Sequence, residues 1–403
     1  MSNASERAVD LAARIRPYAP ADRDEVLSFR RAMYGPDAFQ AAPWYLTWAL
    51  DQPRDPPDAP VVWLYRDEHG VSGQVGGYRV GFRVGAARRS ALWILDLVVD
   101  PAARQHGIGP ALTEAASTSD LSLAIEVSAN AYKVFRRLGW ADLGDVPLHV
   151  RPLTQAFFKA RPSWALREAA PVAAAAMRCA EGAWRPVVRA AGLELVQAAG
   201  FDERSDEAWA QAAAWLPVAG ERDRAHLAWR FERFPVPDRY GVYYLMRGAR
   251  ALGYAVLMTE PHGPMVAGRL VDFACARWAV TPLLALAASA LRARGADVAY
   301  CLCASPLPNW VFSAAGFVSH PSGWPLLADL HRLTPADQLL AGDESHWFVT
   351  SGDSNLDRPR ERTVYAPNAQ PETPEMRPAP TQPLWDWTGQ APLAEAQTHH
   401  ASH

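Results

Sequence analysis

The sequence predicts an α/β (α+β) chain of two tandem, similarly built domains, each a mixed twisted sheet flanked by helices. Three observations lead there. The 403 residues exceed what one hydrophobic core usually serves, which makes two domains the natural expectation. Strand-like runs alternate with helical ones throughout. And the chain repeats itself: Leu46, Trp48, Val61 and Leu64 match Leu227, Trp229, Val242 and Leu245, each pair 181 residues apart. Further on, "ILDLVV" matches "LVDFAC", setting Asp96 against Asp272. "VFRRLGW" matches "VFSAAGF", setting Phe135 against Phe312 and Gly139 against Gly316. Four matches in the same order define a repeat.

In the first copy "ARIRPY" reads as an edge strand. "PADRDEVLSFRRAM" reads as an amphipathic helix with Ala21–Asp24 as its charged first turn. "PVVWLYRD" and "SGQVGGYRVGFRVG" read as a strand pair across "EHGV". "SALWILDLVV" is nearly continuous in apolar residues, the pattern of a strand buried on both faces. A helix starts at "GPALTEAAS", "LSLAIEV" is a strand, and "NAYKVFRRL" is a short helix that Gly139 ends. The second copy runs through the same series from "DEAWAQAAAWL" to "GWPLLADL".

The expected organisation is a first domain over 14–150, an Ala- and Arg-rich helical connector over 151–195, a second domain over 196–350, and a disordered Pro-rich tail over 354–403. The copies differ at one place. Between strand and helix the second copy is four residues shorter and reads "ACARWAVTPLL", without a glycine.

Composition excludes several classes. The chain is 49% hydrophobic with a net charge of −3, and no basic stripe interleaved with aromatics marks a nucleic-acid binder. Cys179, Cys275, Cys301 and Cys303 form no CxxC pair and no zinc spacing, so no metal is expected. Few unpaired cysteines fit a reducing compartment. The first thirteen residues lack a signal-peptide pattern, and "WAVTPLLALAASAL" is short for a bilayer span. The expectation is a cytoplasmic protein with no membrane partner.

The stretch that carries chemistry is "VVDPAARQHGIGPAL". A loop with Gly107 and Gly109 follows a buried strand and opens a helix, and Arg104 stands three residues before Gly107. Backbone N–H groups at a helix start, unobstructed at glycines, make an anion site. The stretch resembles the acyl-CoA-binding motif of the GNAT N-acetyltransferase superfamily, V-x-P-x-x-R-x-x-G-x-G/A. "IEVSANAYKVFRRLGW" is similar to that superfamily's later strand–helix segment. The resemblance covers about residues 14–150; with the internal repeat, the whole chain resembles a tandem double-GNAT protein with a degenerate second copy. It implies acyl-CoA, most simply acetyl-CoA, as co-substrate. Its pyrophosphate would sit on the N–H groups of Gln105, His106, Gly107, Ile108, Gly109 and Ala111, with Arg104 adding charge. Its pantetheine arm would lie along Leu97, Val98 and Val99.

The catalytic pattern departs from the family. The usual thiolate-protonating tyrosine falls at Phe135, which cannot donate; Tyr132, one turn earlier on the same face, is either its substitute or a packing residue. Glu126 resembles the base of ribosomal-protein-alanine acetyltransferases, and its alternative is a strand-end charge paired with Arg136 or Arg137. Asp96 reads as structural because Asp272 mirrors it. The function expected is an acyl-CoA-dependent N-acyltransferase acting on a small-molecule or peptide amine, as monomer or homodimer. The alternatives are an acyl-CoA-binding module without efficient transfer and an aminoacyl transferase of the peptidoglycan type, which would not need the RxxGxG loop.

Overall fold

The computed structural model describes residues 11–54, 58–104, 106–160 and 164–357. The first half contains β1 (Ile15–Pro17), α1 (Arg23–Tyr34), α2 (Pro43–Leu50), β2 (Val62–Asp67), β3 (Gly70–Val84) and β4 (Ala87–Val99). It continues with α3 (Ile108–Ala116), β5 (Leu121–Ala124), α4 (Ala129–Arg137), β6 (Ala141–Asp145) and β7 (Leu148–Pro152). Helices α5 (Gln155–Lys159) and α6 (Trp164–Ala190) form the connector. The second half contains β8 (Leu193–Ala198), α7 (Glu203–Ala213), β9 (Val218–Gly220) and α8 (Arg224–Leu227), which continues as a π-helical turn through Glu232. Then follow β10 (Gly241–Arg247), β11 (Arg250–His262), β12 (Met265–Cys275), α9 (Val280–Ala293), β13 (Val298–Ala304) and α10 (Trp310–Ala314). The last elements are β14 (Val318–His320), β15 (Pro325–Asp329), α11 (Pro335–Ala341) and β16 (Trp347–Thr350), with a 3-10 turn at Ser351–Asp353.

Local sequence accounts for the boundaries. Helix α1 buries Val26, Leu27, Phe29 and Arg30 on one face. Ser128 caps α4 by accepting from the Ala131 N–H at 3.2 Å, and Gly139, at φ 83°, turns the chain out of it. In β4 the run Ala91–Leu95 is buried throughout, as a central strand packed on both faces requires.

The described strands form one continuous mixed sheet. Each half contributes a meander, β1–β2–β3–β4 or β8–β10–β11–β12, followed by a parallel crossover through a helix to β5 or β13. The halves then exchange strands. β7 inserts between β13 and β14, with His149 opposite both Cys301 and Ser319. In return β15 inserts between β5 and β6, with Leu327 opposite both Ala124 and Asp142. The expected boundaries at 150 and 350 therefore do not divide the sheet. Residues Ser354–Asp357, grouped with the tail on composition, are buried; Asp357 forms an ion pair with Arg230 inside the core. The rest of the expected tail lies outside the described residues.

At the seam Trp48 and Trp229, a pair from the sequence repeat, stack with centroids 4.7 Å apart at 8°. Each indole N–H donates to the other's carbonyl, at 3.1 and 3.0 Å. Reciprocal contacts of this kind are what an approximate two-fold axis produces. Tyr78 and Phe234 pack edge-on against the stack.

Candidate functional site

Strands β4 and β5 run parallel through Ala91–Leu121, Leu92–Ser122 and Trp93–Leu123, where their pairing ends. Beyond that point β4 bulges: Gln74 faces Val98 and Gly76 faces Leu95, leaving Asp96 and Leu97 opposite Val75 alone. Past the bulge β4 is no longer paired with β5, which leaves a cleft in the ladder between their C-terminal ends. Asp96 and Glu126 form its lips, each three residues past the Trp93–Leu123 pair. They take φ values of 51° and 55°, two of the three positive values at non-glycine positions among the described residues. Left-handed backbone costs a Glu or Asp of order 1 kcal/mol, and such strain concentrates at functional sites. Glu126 was expected on the strand, but β5 stops at Ala124.

The Asp100 N–H donates to Ser72 O at 2.9 Å. With the two-residue period of a strand, Val98 also faces β3, and the N–H and C=O groups of Leu97 and Val99 turn toward the cleft. Arg104 Nε donates to Val99 O at 3.2 Å from that side. Leu97, Val98 and Val99 are all half-buried.

The loop then leads into α3. Asp100 Oδ1 accepts from the Ala102 N–H at 2.8 Å and shapes the turn, and His106 Nδ1 lies 3.1 Å from Ala103 O. Gly107 is the N-cap at φ 82°, a conformation that side chains resist. The first helical hydrogen bond runs from Ala111 N–H to Gly107 O at 3.2 Å. That commits the Ala111 donor to the helix and leaves Ile108 and Gly109 as the first-turn donors free of the helical ladder. The helix starts at Ile108, so Pro110 is its third residue and removes no helical bond there. Gln105 lies outside the described residues.

The second half is built alike and finished differently. β12 and β13 pair through Arg269–Tyr300, a bulge follows at Val271, and Asp272 and Cys303 stand three residues past the last pair. Here the chain itself fills the cleft. Thr350 and Val349 of β16 pair antiparallel with Cys303 and Ala304, while Thr350 Oγ1 donates to Asp272 Oδ1 at 2.7 Å, so one residue binds both lips. Gly352 packs so closely on Asp272 that a Cβ would come within 2.8 Å of its Cβ. Asp272 also accepts from Tyr254 at 2.5 Å and pairs with Arg222 at 3.3 Å. Arg222 in turn pairs with Asp353 at 2.6 Å.

Other candidate side chains are placed as follows. Phe135 is fully buried, its ring 4.5 Å from Trp140, and serves packing. Tyr132 donates its hydroxyl to Asp142 Oδ2 at 2.6 Å, and that carboxylate raises the phenol's pKa. Asp96 accepts from buried Tyr45 at 3.2 Å; burial first, and the Asp96 charge second, push the Tyr45 pKa up. Asp96 is half-buried and Asp272 fully buried, so the mirrored aspartates have different environments. The sequence reads Asp96 as structural, like Asp272; what sets it apart here is its left-handed backbone and partial exposure. Among the described residues no group of three or more metal-ligating side chains occurs, and no helix is long and apolar enough to cross a membrane.

This architecture is that of GNAT-fold proteins. The structure is similar to a GCN5-related N-acetyltransferase from Anabaena variabilis (TM-score 0.52, 10% identity, covering 78% of this chain and 72% of that one). It is similar to a GCN5-related N-acetyltransferase from Kribbella flavida (0.50, 14%, 78% and 70%), and to a probable N-acyltransferase from Enterococcus faecalis (0.52, 11%, 79% and 73%). At the level of sequence, residues 23–140 match the Acetyltransferase (GNAT) family. The match spans the cleft and its loop. A search of curated proteins finds no match.

Proposed function

We propose that the first half is an acyl-CoA-dependent N-acyltransferase centre, using acetyl-CoA in the simplest case, and that the second half is a degenerate copy closed by its own chain. The observation that carries this reading is the contrast between the β4/β5 cleft, which opens onto a glycine-started helix, and the β12/β13 cleft, which Thr350–Asp353 occupies.

In this reading the CoA pyrophosphate lies on the N–H groups of Gly107, Ile108 and Gly109, where the α3 dipole favours negative charge and Arg104 adds more. The pantetheine arm follows Leu97–Val99, hydrogen-bonding to the backbone groups that face the cleft. The thioester carbonyl oxygen takes the N–H of Val99, which stabilises negative charge as the amine attacks. The C–N bond forms, the C–S bond breaks, and the proton lost by the amine goes to a lip carboxylate, Glu126 or Asp96. No tyrosine stands at position 135, and Tyr132 is held by Asp142. The thiolate therefore leaves unprotonated and is protonated by solvent, which its pKa of about 8.5 permits.

The test is CoA release by the purified chain from acetyl-CoA with a panel of small amines and peptide N-termini. The reading requires release that depends on the amine. Saturable acetyl-CoA binding with no release on any amine would instead favour an acyl-CoA-binding module, the reading to which buried Phe135 points.

A further inference from the structure

On the edge of β3 facing the seam, pairing with β2 ends at Gly76 and pairing with β9 starts at Phe82. A cleft of about 390 Å³ opens in that gap, walled by Arg54, Arg79, Arg88 and Arg89 of the first half and by Asp223 and His226 of the second. Two of the arginines are paired: Arg88 Nε donates to Glu221 at 2.6 Å and Arg89 Nε to Asp337 at 3.0 Å. Among the described residues the other two are not. Arg54 donates only to the carbonyls of Ala59 and Leu50, at 3.1 and 3.2 Å. Arg79, 9% exposed, donates to Pro60 O at 2.8 Å and to the hydroxyls of Ser119 and Thr118 at 2.9 and 3.4 Å. Among the described residues neither has a carboxylate within ion-pair distance, Asp223 included. Asp223 caps α8 by accepting from the His226 N–H at 2.8 Å.

A buried guanidinium without a counter-charge is costly, and here a second guanidinium stands close by. Burial, followed by the Arg54 charge, lowers the Arg79 pKa. The imidazole of His226, pushed down to about 4 chiefly by burial, adds no charge at neutral pH. Among the described residues the site thus carries more positive than negative charge, in a space of ligand size. We propose that this cleft binds a small oxyanion, a phosphate or phosphate monoester, between Arg54 and Arg79, whose five N–H donors each outnumber the two or three bonds just described. It is not the transfer centre: Ser90 at this end of β4 is nine residues from Val99, about 30 Å along the strand. Because both halves wall the cleft, a bound anion also ties them together and raises thermal stability by mass action.

The experiment follows the full chain by calorimetry and thermal melting at constant ionic strength, with inorganic phosphate, glycerol phosphate or malonate as probe. The proposal predicts saturable binding of phosphate with a rise in Tm. Arg54→Ala and Arg79→Met should each weaken it at least about tenfold, and Gly109→Glu should leave it unchanged. Tighter binding of glycerol phosphate than of phosphate assigns the site to an organic monoester, and equal binding assigns it to free phosphate. If Arg79→Met does not fold, Arg54→Ala decides alone. The proposal is overturned by the absence of saturable phosphate binding up to about 20 mM. Preference for malonate, or an unchanged affinity in Arg54→Ala, would overturn it as well.

Discussion

The two clefts of this protein begin identically and end as opposites. In each, three parallel pairs are followed by a bulge, with an aspartate on one lip and a second residue three positions past the pairing on the other. In the first half those residues are Asp96 and Glu126, both in left-handed backbone, and a glycine-started helix faces them. In the second they are Asp272 and Cys303, both bound by Thr350. The comparison separates what both halves share from what only one of them has. The bulge and the splayed strands belong to the fold, since both halves have them. Among the described residues the strained lips and the Gly107 N-cap occur only in the half where no strand pairs across the cleft as β16 does.

Breaking the closed cleft should have the largest effect. Asp272→Asn removes a buried charge from Arg222, Tyr254 and Thr350 at once and should cost about 3 kcal/mol of stability. Asp96→Asn keeps a neutral acceptor for its one hydrogen bond, from Tyr45, and should cost less than about 1 kcal/mol. Urea unfolding of the two variants checks the ratio; equal losses would mean that the two aspartates have the same role.

Next is Gly109→Glu. The nearest atom to a Cβ there is Val134 Cγ2 at 3.9 Å, so the side chain fits the fold while placing a negative charge at the helix start. Acetyl-CoA affinity should fall roughly a hundredfold, about 2.7 kcal/mol, with little change in Tm. An unaltered affinity would remove the α3 N-terminus from the binding site.

A smaller effect comes from acid. His149, on the exchanged strand beside the closed cleft, stacks on Phe312 at 3.7 Å and lies 3.2 Å from Cys303 O. Burial pushes its pKa down to about 4, from about 6.5 in the unfolded chain. The unfolded state therefore binds the extra proton, so this contribution is complete above about pH 6.5 and is lost as pH falls toward about 4. The slope reaches at most about 1.4 kcal/mol per pH unit for one histidine. Chemical unfolding at several pH values should show that slope reduced by roughly this amount in His149→Gln. Smallest of all should be Tyr132→Phe, whose hydroxyl is committed to Asp142: kcat should change by less than about threefold, against the hundredfold or more expected from loss of a general acid.

Much of this comparison is legible in the sequence. The glycine loop of one copy against "ACARWAVTPLL" of the other, the Trp48/Trp229 pair and the Asp96/Asp272 pair all follow from aligning the repeat. The strand exchange does not follow. β7 and β15 carry the apolar residues that either half could accept, and alternation specifies a face of a sheet, not which sheet. Nor does the plug: "HWFVTSGDS" has the composition of a domain end, and only the tertiary structure lays Thr350 across Asp272 and Cys303. The left-handed turn at Glu126 was masked by the apolar "LSLAI" before it, which reads as strand through a residue that is no longer one. The arginines of the seam cleft come from distant segments, and no local pattern joins them.

The measurement that bears most directly on this account is the stoichiometry of CoA binding by calorimetry, in the wild-type chain and in Gly109→Glu. One molecule per chain, lost in Gly109→Glu, is the predicted result. Two molecules per chain, or one that persists in the variant, would contradict it, because the second cleft would then be open to the ligand and Thr350 would not close it.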